Sequence, residues 1–322
     1  MKFLYRRILT YVVVLIAVLN LTFFLPRFAP GNAADILAGG TRVPAEAAKL
    51  IAVRFGLDQP LPIQYVDFLK NIFLTWPPYF GVSYGYYPAQ VTQLFAVRIV
   101  WSLLLILASI AVGELMTYFV SAFASIRRAG KFEVGSLYSS IMLNSMPLFW
   151  LAMIFLYVFS IELKWFPLFG STGFHAGTGV QFYLNVMWHA VLPVIVLSLS
   201  LFGESFLILR GSIQDVLKSD YVLAAKSRGV SNWVLSSRYI LRNSLLPLVA
   251  VISFSMASLI SRVVLVEVIF GYPGIGDFII DAIIARDYPV LEGSLFYTTI
   301  IVIIGGIIGD LLLVRLDPRL KK

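Results

Sequence analysis

Long apolar runs recur along this chain at about 8–28, 99–125, 137–161, 188–209, 246–270 and 293–314. An apolar run of roughly 18 residues or more is long enough to cross the hydrocarbon layer of a bilayer as a helix. Lipid offers no partner to backbone N–H and C=O groups, so a chain with repeated runs of this kind must form helices that satisfy their own hydrogen bonds. Composition agrees: 59% of the residues are hydrophobic and 13% charged, against roughly 45–50% and 25% in soluble domains. The fold class that follows is an all-α integral membrane protein with six transmembrane helices. No stretch is left for a large soluble domain.

The charges give the topology. Lys2, Arg6 and Arg7 precede the first run, and Arg127, Arg128 and Lys131 follow the second. Arg210, Lys218, Lys226, Arg228, Arg238 and Arg242 follow the fourth, and Arg315, Arg319, Lys321 and Lys322 close the chain. These sixteen of the 25 basic residues sit in short segments at span ends, which is the positive-inside pattern with both termini in the cytoplasm. The first run is too long for a signal-peptide core and lacks a small-residue cleavage site, so it reads as a retained helix. The chain divides into an N-terminal transmembrane helix (1–28), an extracytoplasmic loop region with short helices (29–97) and a five-helix transmembrane core (98–322). Within the loop region, residues 44–55 and 63–74 carry apolar residues at helical spacing, as a helix lying on a membrane surface does. The outer segment 271–289 reads as a loop.

The net charge of +8 arises at span ends and not among stacking aromatics, so it marks topology and not nucleic-acid binding. Cysteine is absent, which removes disulfides, thiolate nucleophiles and cysteine-ligated metals. His175 and His189, the two histidines, make weak metal ligands on their own. No phosphate-binding Gly-x-x-x-x-Gly-Lys-Ser/Thr loop, Ser-His-Asp set or His-Glu-x-x-His motif occurs, so neither nucleotide hydrolysis nor hydrolytic catalysis is expected of this chain.

One insert is unlike the rest. Between the fourth and fifth runs, residues 210–246 are polar, basic and helical in pattern. Asp220 suits a helix cap, Ala224 and Ala225 leave a smooth small-residue face, and Gly229 ends or sharply turns the helix. That combination reads as a short docking helix for a partner, followed by a second helix over 232–243. The plainer reading is a basic inner loop that only fixes topology.

Leu223-Ala224-Ala225-Lys226-Ser227-Arg228-Gly229, with Leu-Pro at 246–247, resembles the cytoplasmic "EAA" loop of binding-protein-dependent ABC permeases, in the long form of the dipeptide, oligopeptide and nickel branch. Leu223 stands where the motif name has Glu. The likeness extends to Pro30-Gly31, Gly56-Leu57-Asp58-Gln59-Pro60-Leu61 and Pro147-Leu148-Phe149-Trp150-Leu151. It continues through Glu267, Gly271-Tyr272-Pro273-Gly274-Ile275-Gly276, Ala285-Arg286-Asp287-Tyr288-Pro289 and Asp310 before Leu316-Asp317-Pro318-Arg319. The order and spacing of these motifs carry the resemblance more than any one of them.

The resemblance implies a type I ABC importer permease in a prokaryotic plasma membrane. Its expected partners are the lipid bilayer, a second homologous permease subunit, two ATP-binding subunits that carry ATP-Mg, and an extracytoplasmic substrate-binding protein. No cofactor is expected on this chain. Tyr221, Leu223, Ala224, Ala225, Lys226, Arg228 and Gly229 would form the coupling helix in a groove of the ATPase. Tyr272, Pro273 and Gly274 would form an outer gate or binding-protein contact, or merely a turn that geometry requires. Glu114, Arg262, Glu267 and Asp310 lie within or at the ends of apolar runs, where charges face a bundle interior. For Glu267 and Asp310 a structural role is the preferred reading, whereas Glu114 and Arg262 would line a path or pair with each other. Ser255, Ser258 and Ser261 form a small polar stripe suited to helix packing. The cargo reads as peptide or oligosaccharide, with nickel as an alternative within the same family. A secondary transporter driven by an ion gradient through Glu114 and Asp310 is the alternative from another class.

Overall fold

The computed structural model describes residues 2–28, 52–53, 55–126, 130–173, 176–245 and 256–316. Ten helices organise them: α1 (Lys2–Phe28), α2 (Leu61–Phe73), α3 (Val91–Ile126), α4 (Lys131–Ser145) and α5 (Leu148–Phe155) come first. They are followed by α6 (Val180–Leu217), α7 (Asp220–Ser227), α8 (Met256–Phe270), α9 (Ile275–Ala285) and α10 (Tyr288–Leu316). Two π-helical stretches with wider turns, Leu156–Glu162 and Leu235–Leu241, extend α5 and the short helical turn Asn232–Val234. Among the described residues, four helices are long and apolar enough to cross a membrane, at Arg7–Phe28, Val91–Ser125, Val180–Leu217 and Tyr288–Leu311. Two helix pairs, Lys131–Ser145 with Leu148–Glu162 and Leu259–Phe270 with Ile275–Ala285, raise the number to six if each pair counts as one crossing. The chain is all-α, with four to six membrane helices.

Residues 1–101 and 274–303 form one compact unit, and residues 102–273 and 304–322 form another. In the second, α6 is the central element, and α4, α5 and α8 all pack against it. Some 61% of its most apolar stretch is buried, against 28% for α3, so α3 keeps much of its apolar surface for lipid or partners while α6 spends its own on internal packing. Small residues allow that packing, as they do wherever membrane helices approach closely. A Cβ built on Gly203 would lie 2.9 Å from the Asn144 backbone nitrogen and 3.2 Å from the Leu143 carbonyl carbon. Backbone cannot retreat as a flexible side chain does. The Gly203→Leu variant should therefore lose about 1–3 kcal/mol or more and aggregate on detergent extraction; a monodisperse peak like that of the parent would contradict this packing.

The third apolar run is not one straight span. Its two halves, Lys131–Ser145 and Leu148–Glu162, meet at 104°, because Pro147 offers no N–H and pushes Met146 out of the helical region to ψ 127°. The fourth run is longer than expected, since α6 extends beyond 188–209 at both ends. Of the fifth, α8 covers the part from Met256, and residues 246–255, with Ser255 and Pro247, lie outside the described residues. The outer segment 271–289 is not a plain loop either, for it contains α9. Pro30-Gly31, nearly all of the 44–55 segment, His175 and Asp317-Pro318-Arg319 also lie outside the described residues.

In the first unit, Leu19 and Phe23 of α1 meet Phe68 and Ile72 of α2, Phe278 and Ala282 of α9, and Val290, Leu291 and Phe296 of α10 in one core. The expected 63–74 helix thus exists as α2, and part of its apolar face is turned into this protein core. Polar groups tie the core's rim. Arg27 pairs with Glu292, its Nε donates to Gln64 Oε1 at 3.1 Å, and its guanidinium lies 3.7 Å above the Phe23 ring. Asp287 precedes α10 and accepts from the Val290 amide at 3.3 Å, capping the helix. Its other oxygen accepts from Ser83 Oγ at 2.5 Å and from the Gly85 amide at 2.9 Å. Burial, followed by the nearby Glu292 carboxylate, pushes the Tyr84 phenol up, so Tyr84 stays a neutral group beside this knot.

Candidate functional site

The polar insert folds as a helix seated on the second unit. Val222 and Ala225, three residues apart and therefore on one face, are 2% and 0% exposed. They pack with Ala122, Leu209, Ile213, Leu235, Ile240 and Leu241. The opposite stripe of α7 faces out: Leu223 is 58% exposed, and Ala224, Lys226, Ser227 and Arg228 are exposed as well. Tyr221 and Trp233 add exposed aromatic surface. Helix α7 and the residue that caps it therefore present two exposed basic side chains, Lys226 and Arg228, and an apolar stripe on the face away from the core. Ala225 does not belong to that outward face, contrary to the expectation for the alanine pair. Its methyl is an anchor.

The ends of α7 are also defined. Ser219, not Asp220, occupies the cap position, and its Oγ donates to the Val216 carbonyl at 2.5 Å. Asp220 is the first helical residue, where its negative charge complements the helix dipole. At the other end Gly229 has φ +76°. Its amide donates to the Lys226 carbonyl at 3.0 Å, and the Val230 amide donates to the Ala225 carbonyl at 3.3 Å. Those two bonds are the pair that closes a helix through a left-handed glycine, with Val230 packing on the same core as Ala225. The expected second helix after Ser231 is present, in π-helical form over Leu235–Leu241.

The charged residues of the apolar runs fall into distinct settings. Glu267 of α8 is 0% exposed and accepts from Ser102 Oγ of α3 at 2.5 Å, so it joins two helices. Asp310 is buried in α10. Glu114 and Arg262 do not pair with each other. Instead Arg262 Nη2 donates to Glu204 Oε2 at 2.6 Å, and Ser205 Oγ donates to Glu114 Oε1 at 2.8 Å. Glu204 escaped the sequence reading although it carries the same signal as Glu114, a single acid within an apolar run. Val222 escaped it too, and its i, i+3 spacing to Ala225 was the available signal.

Of the Gly271–Gly274 turn, Tyr272 is 0% exposed and Gly274 is buried, which leaves Pro273 partly reachable. An external partner therefore cannot rest on Tyr272 or Gly274 as they stand here. The Tyr272 amide donates to the Glu267 carbonyl at 2.8 Å, closing the end of α8. A cavity of about 310 Å³ lies in the first unit, bordered by Arg27, Gln64, Asp67, Asn71, Tyr84 and Glu292. His189 Nδ1 lies 2.8 Å from the Asn185 carbonyl. Among the described residues no group of three His, Cys, Asp or Glu is placed to hold a metal.

Residues 117–322 match the family model for the binding-protein-dependent transport system inner membrane component, and residues 1–106 match that for its N-terminal part. A putative peptide transport system permease protein of Brucella abortus is 30% identical over 98% of both chains. The oligopeptide transport system permease protein AppB of Bacillus subtilis is 28% identical over 99% of both. The di/tripeptide transport system permease protein DppB of Pseudomonas aeruginosa is 30% identical over 100% of this chain and 99% of its own. With matches running from one end of the sequence to the other, and with an all-α membrane fold beneath them, the chain belongs to the inner membrane components of binding-protein-dependent transport systems.

Proposed function

We propose that this protein is the permease subunit of an ABC importer that brings peptides into the cell. It forms part of the path through the plasma membrane, with both termini in the cytoplasm. A second permease subunit completes the path, two ATP-binding subunits with ATP-Mg supply the energy, and an extracytoplasmic binding protein delivers the cargo. The observation that carries this reading is α7: a short helix anchored by Val222 and Ala225 that turns Leu223, Ala224, Lys226 and Arg228 outward. A chain without a phosphate-binding loop needs a partner to hydrolyse ATP, and this helix is the surface through which closure of that partner would move the spans. Peptide is preferred over oligosaccharide or nickel because the relatives compared are named for peptides.

An ion-driven transporter has no use for such a docking helix. In vesicles containing the complete assembly, uptake of a labelled peptide should require ATP and the binding protein. Uptake driven by a proton gradient in vesicles lacking the ATP-binding subunits would overturn the reading.

A further inference from the structure

Arg262 of α8 reaches Glu204 of α6, the neighbouring Ser205 reaches Glu114 of α3, and the Glu114 carboxyl lies within electrostatic reach of Glu204. Helical rise locates the group in depth. Glu114 lies about 18 Å before the end of α3 at Ile126, Arg262 about 12 Å before the end of α8 at Phe270, and Glu204 about 8 Å before the end of the fourth apolar run at 209. Those offsets keep the three side chains inside a hydrocarbon layer about 30 Å thick.

Two observations set this cluster apart from a buried structural ion pair such as Arg27–Glu292. First, Arg262 and Glu204 are 24% and 31% exposed, and charges left open at this depth must face a partner or a water-filled path, since hydrocarbon rejects them. Second, two buried polar atoms of opposite character, Glu114 Oε2 and Arg262 Nη1, have no hydrogen-bond partner among the described residues. Buried polar atoms in folded proteins are nearly always satisfied. The cluster contains two carboxyl groups and one guanidinium, and that guanidinium is already given to Glu204. What it lacks, among the described residues, is a donor for Glu114 Oε2 and an acceptor for Arg262 Nη1.

We propose that Glu204 and Glu114 form a station inside the membrane for an ammonium group of the transported peptide. An arriving ammonium competes with Arg262 for Glu204, and Arg262 then turns its spare N–H toward a carbonyl or carboxylate oxygen of the same peptide. This site rests on the peptide-import reading and adds to it a recognition step inside the membrane, separate from the binding protein.

The test uses the full transport assembly in vesicles and three labelled peptides: Ala-Ala-Ala, its N-acetyl form, and N-acetyl-Ala-Lys-Ala. Each rate is divided by that of the parent assembly for the same peptide, which cancels the preferences of the binding protein. Glu204→Gln should lower maximal uptake of Ala-Ala-Ala about tenfold, the loss of one charge-assisted contact, and leave the N-acetyl form within about twofold. Because Glu204→Gln also unpairs Arg262 and can harm folding, Glu114→Gln, which leaves the ion pair intact, should shift the same ratio in the same direction. The lysyl peptide supports the station either way: loss with Glu204→Gln means that a side-chain ammonium serves, and no loss means that the N-terminus alone does. Equal losses for acetylated and free Ala-Ala-Ala, or no loss for either, overturn the station. A parent assembly that takes up none of the three overturns the peptide-import reading itself.

Discussion

The Gly229→Val variant is expected to insert and assemble normally yet to lose at least about tenfold in peptide uptake per ATP hydrolysed. The cause is conformational. A Cβ at position 229 would meet nothing within 4 Å, so space is not the obstacle, but φ +76° costs an L residue about 1–2 kcal/mol, and a β-branched one tolerates it least. Relaxing that strain breaks the bonds from the Gly229 and Val230 amides to Lys226 and Ala225. The exit from α7 then loosens, and Val222 and Ala225 no longer hold the outward stripe at a fixed height. Asparagine visits the left-handed region readily, so Gly229→Asn should retain most of the uptake. Parallel measurement of ATP hydrolysis and uptake separates uncoupling from misfolding. Unchanged uptake in the valine variant, or equal loss in both, would remove α7 from the coupling path.

A comparable loss, of stability instead of coupling, should follow Asp287→Ala. Asp287 is 2% exposed and receives Ser83 Oγ and the Gly85 and Val290 amides. Each buried donor left without an acceptor costs about 1–3 kcal/mol, so the substitution should remove about 3 kcal/mol or more from the first unit. Thermal unfolding in detergent should shift down by several degrees, and limited proteolysis should open the segment around Ser83 to Tyr87. Asp287→Asn keeps one acceptor oxygen and should fall between. If the alanine variant unfolds with the parent and resists protease equally, the carboxylate does not hold that segment.

Much of the fold was legible because lipid makes long apolar runs unambiguous. Where the sequence reading went astray, local geometry or distance was responsible. Pro147 advertised a break, yet the apolar run continues through it and reads as one span. The α9 helix has 11 residues, too few for a crossing, and it lies between a Pro-Gly turn and Asp-Tyr-Pro, so it passed for a loop. The α7 helix was readable from its glycine and alanines, but which alanine points inward depends on the surface beneath it. Pairings across the fold were out of reach. Arg262 and Glu204 are 58 residues apart, Ser83 and Asp287 are 204 apart, and single-sequence periodicity says nothing about which helix faces meet.

The continuity of α6 has a mechanical consequence. Its Leu209 and Ile213 form part of the seat of α7, and Glu204 stands on the same uninterrupted helix, about 8 Å further along the axis. An α-helix held by its full ladder of hydrogen bonds is stiff over such a distance, so a push on α7 arrives at Glu204 almost undiminished. The compliance has to reside elsewhere in that unit, at the 104° corner of Met146–Pro147 and in the wide turns of Leu156–Glu162 and Leu235–Leu241, where the ladder is irregular.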